Sequence, residues 1–349
     1  MIHRIEIQNY KSLRDVRLDV GKCNVLIGPN NSGKSNIMDS LLFLSETSHK
    51  SLPEVLLSRG DYGSVTFGGQ SGWIKFAVHS RLTGKECKYT LVCSGGDIKE
   101  EMLFMDGQCK IQRSAGVTDV MDDAGEAGPV EVPGSVSAVS IYSRKEGYHS
   151  IKEFQGYLAS WKMYHFASTQ EMRSRSDARR VSELDKTGKN LIQVLLSLRT
   201  ATPEIFDSIE DYLRQGIPEI ENVLTPITSD GRAHLAIREQ GFERDFDCSH
   251  LSDGTLKFLA YITAATLPGD GVICLEEPEN SVHPRLLNLI VDIFRKSDRQ
   301  IIFSTHSPYM ANYVQPKEMI VVKKTLGETQ AIRIANNHIL RDTLRTILS

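Results

Sequence analysis

Long hydrophobic segments are missing from this sequence. No uninterrupted apolar run reaches about 18 residues, the length that a membrane-spanning helix requires. The first residues, MIHRIEIQNYKSL, lack the apolar core of a signal peptide and are typical of a strand instead. We therefore expect no membrane segment and a cytoplasmic protein.

Cysteine is scarce as well. The six cysteines include no CxxC pair and no histidine at zinc-ligand spacing. This pattern argues against a zinc site and against a disulfide framework, and it predicts reduced thiols at buried strand positions. The cysteines are Cys23, Cys87, Cys93, Cys109, Cys248 and Cys274.

A large charge of one sign is also missing. The net charge of −3 neither requires nor excludes nucleic acid, because a local basic patch decides such binding. The 349 residues are 40% hydrophobic and 24% charged, as in ordinary globular proteins, and the chain is long enough to bury a sizeable core. No internal repeat or extended heptad pattern occurs in the sequence.

The first third of the chain is rich in strand signals. Apolar alternation predicts strands at Ile2–Gln8 and Asp15–Val20, and a continuous apolar run predicts a buried strand at Asn24–Ile27. Helical spacing follows at Asn36–Ser45. Short strand-like runs separated by Gly-rich turns then extend from Val65 to Met105, which predicts an antiparallel sheet beside the core.

The middle of the chain changes character twice. Ser114–Ser137 is rich in Gly, Ala and acidic residues without apolar periodicity, and we predict a mobile surface loop there. A helical stretch is predicted from about Ile151 to Arg214. Helix and strand signals then return at Leu256–Leu267, Gly271–Leu275, Arg285–Lys296 and Gln300–Ser304.

A complete G-x-x-x-x-G-K-[ST] motif, the P-loop, lies between the apolar strand and the first helix. Its glycines allow backbone N–H groups to face phosphates at the positive end of the helix. Lys34 is predicted to reach the β- and γ-phosphates, and the Ser35 hydroxyl to bind Mg²⁺. The predicted binding residues are Gly28, Pro29, Asn30, Asn31, Ser32, Gly33, Lys34, Ser35 and Asn36.

Two adjacent carboxylates end a second apolar strand, VICLEE. Such a strand can deliver one acid to Mg²⁺ beside the P-loop, while the second polarises the attacking water. We assign Glu276 to the metal side and Glu277 to the general base. A solvated acidic turn before Pro278 is the alternative if the strand is considered alone.

Two further motifs have a structural and a functional interpretation. Ser252 is a plausible N-cap, and Ser252 with Gly254 can present a second anion site at a helix N-terminus. LSDGT alone is equally consistent with a simple helix cap. His306 follows the strand Gln300–Ser304, where it can contact a γ-phosphate or serve as a core histidine.

The order of these motifs resembles the ABC ATPase superfamily, within it the soluble RecF/SMC-like branch. The sequence is more closely similar to AAA ATPases related to the OLD family, which share the EEPEN-S-x-HP form. The matching segments are Tyr10–Leu13, Trp161–Leu195, Leu251–Thr255, Glu276–Pro284 and Thr305–Pro308. The resemblance covers nearly the whole chain.

This resemblance implies an α/β fold: an ABC ATPase head with a mixed central sheet, an antiparallel β subdomain and an inserted helical subdomain. The implied segments are lobe I with the P-loop and β subdomain at 1–112, a mobile loop and connection at 113–150, a helical insertion at 151–225, and lobe II at 226–349.

The resemblance also implies roles for single residues. Ser252 and Gly254 become the signature that contacts the γ-phosphate held by the opposite subunit. Ser281 and His283 lie in the loop that crosses the dimer interface, and His306 is the switch histidine. The family usually has Asp at the position of Glu276, so metal contact there can pass through water.

The glutamine that contacts Mg²⁺ in the family has Gln70 as its candidate. ATP and Mg²⁺ are the implied ligands of the site, and the implied assembly is an ATP-dependent homodimer. About forty residues follow His306, without the acidic cluster of the TOPRIM nuclease domain found in long OLD-family proteins. We therefore expect any nuclease or toxin activity to come from a partner effector, in phage defence or DNA repair.

A basic segment in the middle of the chain can contact DNA phosphates. It contains acidic residues and no interleaved aromatics, which favours a solvated helical face. Its cations are Arg173, Arg175, Arg179, Arg180, Lys186 and Lys189.

The leading hypothesis is a regulatory ATPase that senses or clamps nucleic acid or a partner, closing on ATP and opening after hydrolysis. Two other functions are weighed against it. A transporter subunit is disfavoured by the 216 residues between Ser35 and Ser252 and by LSDGT in place of a Gly-Gly-Gln signature. A scaffold that binds ATP without turnover is disfavoured by Glu277 and His306.

Overall fold

The computed structural model describes residues 1–69 and 72–334, which fall into two compact units. Of the described residues, unit 1 comprises those within Met1–Lys162, Asp270–Val272 and Gln315–Ile334. Unit 2 comprises Met163–Gly269 and Ile273–Val314. These units group the chain differently from the four segments that the resemblance implies. Those four segments stay a prediction.

Nineteen strands lie within these described residues. In chain order they are β1 Ile2–Tyr10, β2 Leu13–Asp19, β3 Cys23–Ile27, β4 Trp73–Leu82, β5 Lys85–Ser94, β6 Asp97–Met105, β7 Gln108–Ser114, β8 Val117–Met121, β9 Ala127–Val130, β10 Lys162–Tyr164, β11 Ser176–Asp177, β12 Ile220–Leu224, β13 Arg232–Ala233, β14 Ala236–Glu239, β15 Asp245–Asp247, β16 Val272–Glu276, β17 Gln300–Thr305, β18 Met319–Thr325 and β19 Glu328–Arg333.

Ten α-helices lie in the same described ranges, together with short 3₁₀ turns. They are α1 Lys34–Thr47, α2 Leu52–Leu57, α3 Tyr62–Val65, α4 Ala138–Tyr142, α5 His149–Ala159, α6 Leu191–Ala201, α7 Pro203–Gly216, α8 Asp253–Thr266, α9 Leu287–Lys296 and α10 Pro308–Ala311. The 3₁₀ turns are Phe67–Gly69, Glu171–Arg173, Cys248–His250, Pro284–Leu286 and Pro316–Glu318.

Unit 1 contains two sheet systems. An eight-stranded antiparallel sheet has the order β2-β1-β4-β5-β6-β7-β8-β9. The buried strand β3 pairs in parallel with β18, which pairs antiparallel with β19, so this second system is mixed. Strand β3 is buried at all five positions, as expected of a strand that is covered on both faces.

Unit 2 combines helices with short strands. Helices α6, α7, α8 and α9 pack in sequence, and α8 is buried along most of its length. The strands β10, β16 and β17 are neighbours, and β16 and β17 are continuous apolar runs that end in polar residues. These two strand ends therefore carry the candidate chemistry of this unit.

The predicted fold class is confirmed: the chain is α/β, with a mixed sheet and an antiparallel sheet. Five of the six cysteines are buried, and Cys109 is partly exposed. Among the described residues, no helix has the length and apolar character needed to cross a membrane.

The prediction of a loop without strands at Ser114–Ser137 is wrong. Strands β8 and β9 occupy much of it and extend the antiparallel sheet. Thr118 and Val120 are buried and alternate with exposed neighbours, so a short period-2 pattern is present within the Gly- and Asp-rich composition.

The continuous helical stretch predicted from Ile151 to Arg214 is wrong in its middle. Helix α5 ends at Ala159 and α6 begins at Leu191, with coil, the short strands β10 and β11 and one 3₁₀ turn between them. The polar segment has no apolar face to bury as a helix. The basic segment is therefore not a helical face.

Candidate functional site

The P-loop in unit 1 has a shape that only glycine permits at two positions. Gly33, the N-cap of α1, adopts φ 104°, and a Cβ there would come within 2.1 Å of Thr329 Oγ1. A Cβ on Gly28 would come within 2.0 Å of the Val322 carbonyl oxygen. A side chain would therefore clash with its neighbours at both positions. At Gly33 it would also have to adopt a left-handed backbone conformation.

The cation of the motif lies on the loop itself. Lys34 is 5% exposed, and its Nζ donates hydrogen bonds to the carbonyl oxygens of Gly28 at 2.7 Å and Pro29 at 2.8 Å. The Ser32 hydroxyl is buried and has no hydrogen-bond partner, whereas Ser35 is exposed at the start of α1. A buried cation, an unpartnered hydroxyl and a helix N-terminus fit a phosphate group and its Mg²⁺.

A chain of hydrogen-bonded side chains, two of them from distant parts of the sequence, supports the P-loop. Thr329 Oγ1 donates to the Ser32 carbonyl oxygen at 2.9 Å and lies 2.7 Å from Ser12 Oγ. Asn36 Nδ2 donates to the same Ser12 hydroxyl at 2.7 Å. Thr329 is 1% exposed, so its two hydrogen bonds are shielded from water.

Replacing Thr329 with valine is expected to remove this support while keeping the side-chain shape. We expect a loss of about 1–3 kcal/mol in the free energy of unfolding, because buried polar groups lose a partner. The affinity for ATP should also fall, and calorimetric titration measures it. Thr329→Ser keeps the hydroxyl and is the matched control. Wild-type affinity in Thr329→Val would show that the hydroxyl does not hold the loop.

The Tyr10–Leu13 motif anchors the first helix through Asp39. The Asp39 carboxylate accepts hydrogen bonds from Tyr10 Oη at 2.5 Å, Lys11 Nζ at 2.6 Å and Arg59 Nε at 3.0 Å. Burial disfavours the charged carboxylate, but Arg59 and Lys11 outweigh it and hold the pKa of Asp39 below its ordinary value. Tyr10 and Lys11 thus position α1, and with it the P-loop.

In unit 2 the structure brings Glu277 and His306 together. His306 Nδ1 lies 3.0 Å from Glu277 Oε1, and Asn280 Nδ2 donates to Glu277 Oε2 at 2.8 Å. Glu277 adopts φ 43°, and its N–H donates to the Ser304 carbonyl oxygen at 3.1 Å. A non-glycine residue with positive φ is strained, and such strain is concentrated at functional sites.

Glu276 has a partner that sequence reasoning missed. His165 Nδ1 lies 2.8 Å from Glu276 Oε2, and the His165 backbone N–H donates to the Lys186 carbonyl oxygen at 2.9 Å. This histidine follows β10, the neighbour of β16. It falls within the family-like segment Trp161–Leu195, but no local pattern distinguishes it from other histidines.

A third carboxylate of the EEPEN motif was also missed. Glu279 Oε1 accepts hydrogen bonds from Thr305 Oγ1 at 2.5 Å and from the His306 N–H at 3.3 Å, and its Oε2 is buried without a partner. Burial raises the pKa of Glu279 above its ordinary value. Glu279 therefore fixes the turn that carries His306 to the end of β17.

The signature residues begin helix α8. Ser252 is its N-cap, and Ser252 Oγ accepts a hydrogen bond from the Thr255 N–H at 3.1 Å. A Cβ on Gly254 would come within 2.4 Å of the Ser281 carbonyl oxygen, so these two predicted residues are in close contact. His283 instead caps a short 3₁₀ turn.

The remaining candidates are Gln70 and the cations of the basic segment. Gln70 lies outside the described residues. Arg173 donates hydrogen bonds beside the signature, so it is not among the solvent-facing cations of the basic segment. The exposed ones are Arg175, Arg179, Arg180, Lys186 and Lys189. Among the described residues, no cluster of three or more His, Cys, Asp or Glu has a metal-holding arrangement.

Two family models match this chain. Residues 1–112 match an AAA ATPase domain, and residues 152–312 match an AAA domain described as a putative AbiEii toxin of a type IV toxin–antitoxin system. These matches support an ATPase of the AAA type. The finer OLD-like relationship stays a prediction.

Similar proteins agree with this class. The chromosome partition protein Smc of Methanocaldococcus jannaschii is 47% identical over 53 residues, which cover 15% of this chain and 4% of that protein. An ATP/GTP phosphatase of Helicobacter pylori is 18% identical over 325 residues, covering 88% of this chain and 85% of that protein. The Smc match thus spans only a small part of its relative.

The fold is that of an SMC head. A crystal structure of an Smc head bound to the C-terminal winged-helix domain of ScpA superposes with a TM-score of 0.64 at 14% identity. The match covers 97% of this chain and 99% of that one.

Proposed function

We propose that this chain binds ATP with Mg²⁺ at the P-loop, hydrolyses it, and uses the cycle to open and close a homodimer. The observation that carries the hydrolytic part is the hydrogen-bonded pair of Glu277 and His306 at the ends of two neighbouring strands. An ATP-dependent scaffold has no need of such a pair. Release of phosphate from ATP by the purified chain is the direct test.

The P-loop residues bind the nucleotide. Backbone N–H groups of the loop and the first turn of α1 face the phosphates, and Lys34 neutralises the charge on the β- and γ-phosphates. The Ser32 hydroxyl is a buried donor that an oxyanion would satisfy. Ser35 and Glu276 are the proposed metal ligands, and bound Mg²⁺ would neutralise charge that develops on the phosphates.

Glu277 is the proposed general base. Its carboxylate is held on both oxygens, by His306 on one and by Asn280 on the other. A fixed carboxylate can accept a proton from a water molecule without reorganising. His306 orients it and is the proposed contact to the γ-phosphate, while His165 fixes Glu276.

We expect ATP with Mg²⁺ to convert the monomer to a dimer, because Ser252 and Gly254 would complete the site of the opposite subunit. Sedimentation velocity with and without ATP measures this. Ser252→Arg should still bind ATP at its own P-loop but stay monomeric. A native chain that is monomeric under both conditions would contradict the shared site.

The regulated target is proposed to be a partner effector, a nuclease or toxin, or nucleic acid, in phage defence or DNA repair. The toxin–antitoxin description of the second family model supports the effector. The Smc head bound to a winged-helix domain supports a protein partner on a similar fold.

The exposed basic segment is the predicted place of any contact with DNA. Replacing Arg175, Arg179 and Arg180 with alanine should lower affinity for DNA. It should also reduce the slope of log K against log salt by roughly one unit for each phosphate that these arginines neutralise. Fluorescence anisotropy over a salt series measures both. If Lys85→Ala with Lys88→Ala has this effect instead, the contact surface lies on the antiparallel sheet.

A further inference from the structure

An arginine outside the motifs holds the loop that leads into the signature helix. Arg173 Nη2 donates hydrogen bonds to the Leu251 carbonyl oxygen at 2.8 Å and to Asp253 Oδ1 at 2.7 Å. Arg173 Nη1 donates to the Cys248 carbonyl oxygen. One planar guanidinium thus joins three acceptors that surround Ser252 in sequence.

The same contact is supported from both sides. Thr169 Oγ1 donates to Asp253 Oδ1 at 2.5 Å, and the Cys248 thiol donates to the Arg173 carbonyl oxygen at 3.4 Å. The hydrogen bonds from Thr169 and Arg173 hold the pKa of Asp253 below its ordinary value. The carboxylate is therefore charged at neutral pH, and the bonds from the guanidinium are charge-assisted.

These bonds fix the backbone on either side of Ser252. Leu251 precedes the N-cap, and Asp253 is the first residue of α8. Without the guanidinium, two carbonyl oxygens and a carboxylate lose a donor, and the loop before Ser252 is no longer tied to Asp253 by a side chain.

We propose that Arg173 is a positioning residue for the signature: it holds Ser252 and Gly254 in the orientation that completes the nucleotide site of a second copy of this chain. This inference rests on the proposed shared site. Arg173 acts in trans, so its loss should leave nucleotide binding at the P-loop of the same subunit intact and weaken only ATP-dependent dimerisation and turnover.

A mixing experiment separates a trans defect from general damage. Arg173→Ala alone should bind ATP within about twofold of the native chain, but its dimerisation should weaken at least tenfold and its turnover should be lost. Lys34→Ala alone should also be inactive. In a mixture, the P-loop of the Arg173→Ala chain meets the intact signature of the Lys34→Ala chain, and turnover should recover to at most about a quarter for random twofold pairing.

Matched variants keep the inference falsifiable. Arg232→Ala, an exposed arginine of the same unit, should behave as the native chain. Arg173→Lys, which can keep only part of the fork, should recover dimerisation partially. If Arg173→Ala does not fold, as judged by its melting transition, Asp253→Asn tests the same contact without loss of volume and should also complement Lys34→Ala.

The Ser252→Arg chain distinguishes the two levels of failure. If Ser252→Arg complements Lys34→Ala but neither Arg173→Ala nor Asp253→Asn does, the positioning role is overturned and the shared site stands. If Ser252→Arg also fails to complement Lys34→Ala, the proposed shared site is wrong, and this inference is wrong with it. Native dimerisation by Arg173→Ala alone would also overturn the role.

Discussion

Lys34→Ala is expected to abolish detectable binding of ATP. The substitution removes the cation that the P-loop provides for the β- and γ-phosphates, and charge-assisted contacts of this kind are among the strongest that a site can make. Calorimetric titration with ATP and Mg²⁺ measures the effect, and the expected change is larger than that of any other substitution in unit 1.

Two controls accompany this measurement. Lys34 Nζ also binds two carbonyl oxygens of its own loop, so the melting temperature must show that the alanine variant is folded. Lys99→Ala removes an exposed lysine of the same unit and should leave affinity unchanged. Undiminished ATP affinity in a folded Lys34→Ala chain would show that the P-loop is not the nucleotide site.

Sequence alone predicted the parts of the site that are encoded locally. The P-loop needs glycine, lysine and serine at fixed spacing between a strand and a helix, and the structure has β3 and α1 at those places. Roles for Glu277 and His306 were predicted separately, whereas their hydrogen-bonded contact was not predicted. The two residues were recognised at the ends of two apolar strands, and only the structure shows that these strands are neighbours.

The supporting contacts were not predictable because they join distant residues. Ser12 and Thr329 are 317 positions apart, and neither residue type is unusual in a strand or turn. His165 and Glu276 are likewise joined only through the order of the strands. Such pairs leave no periodic or spacing signal in a single sequence.

Arg173 was noticed in the sequence, but its role was interpreted wrongly. Its position within a run of cations suggested a solvated face or a phosphate contact, yet its side chain binds the backbone before α8. The prediction of a helix there depended on weak composition signals. Contacts made across about 75–80 residues decide the conformation of this segment, and local propensity does not report them.

Glu277→Gln is expected to lower ATP hydrolysis by about two orders of magnitude or more, the usual size of a general-base effect. The amide keeps an oxygen for His306, and the Asn280 amide can turn to accept a hydrogen bond from the new NH₂ group. It cannot take a proton from water. Nucleotide binding should survive, so the ATP-bound dimer should accumulate in sedimentation experiments while phosphate release stops.

Glu276→Gln is the matched variant and should fail differently. It removes a negative charge from the proposed metal side, so the Mg²⁺ dependence of ATP binding should weaken. This defect should be visible in binding measurements, without turnover. His165→Ala should have the same effect in smaller measure, because its Nδ1 fixes the Glu276 carboxylate. If Glu276→Gln traps the closed dimer and Glu277→Gln loses Mg²⁺ dependence, the two roles are reversed. If neither variant changes phosphate release, the strand that ends at Glu276 is not the catalytic one, and the chain is not an ATPase by this mechanism.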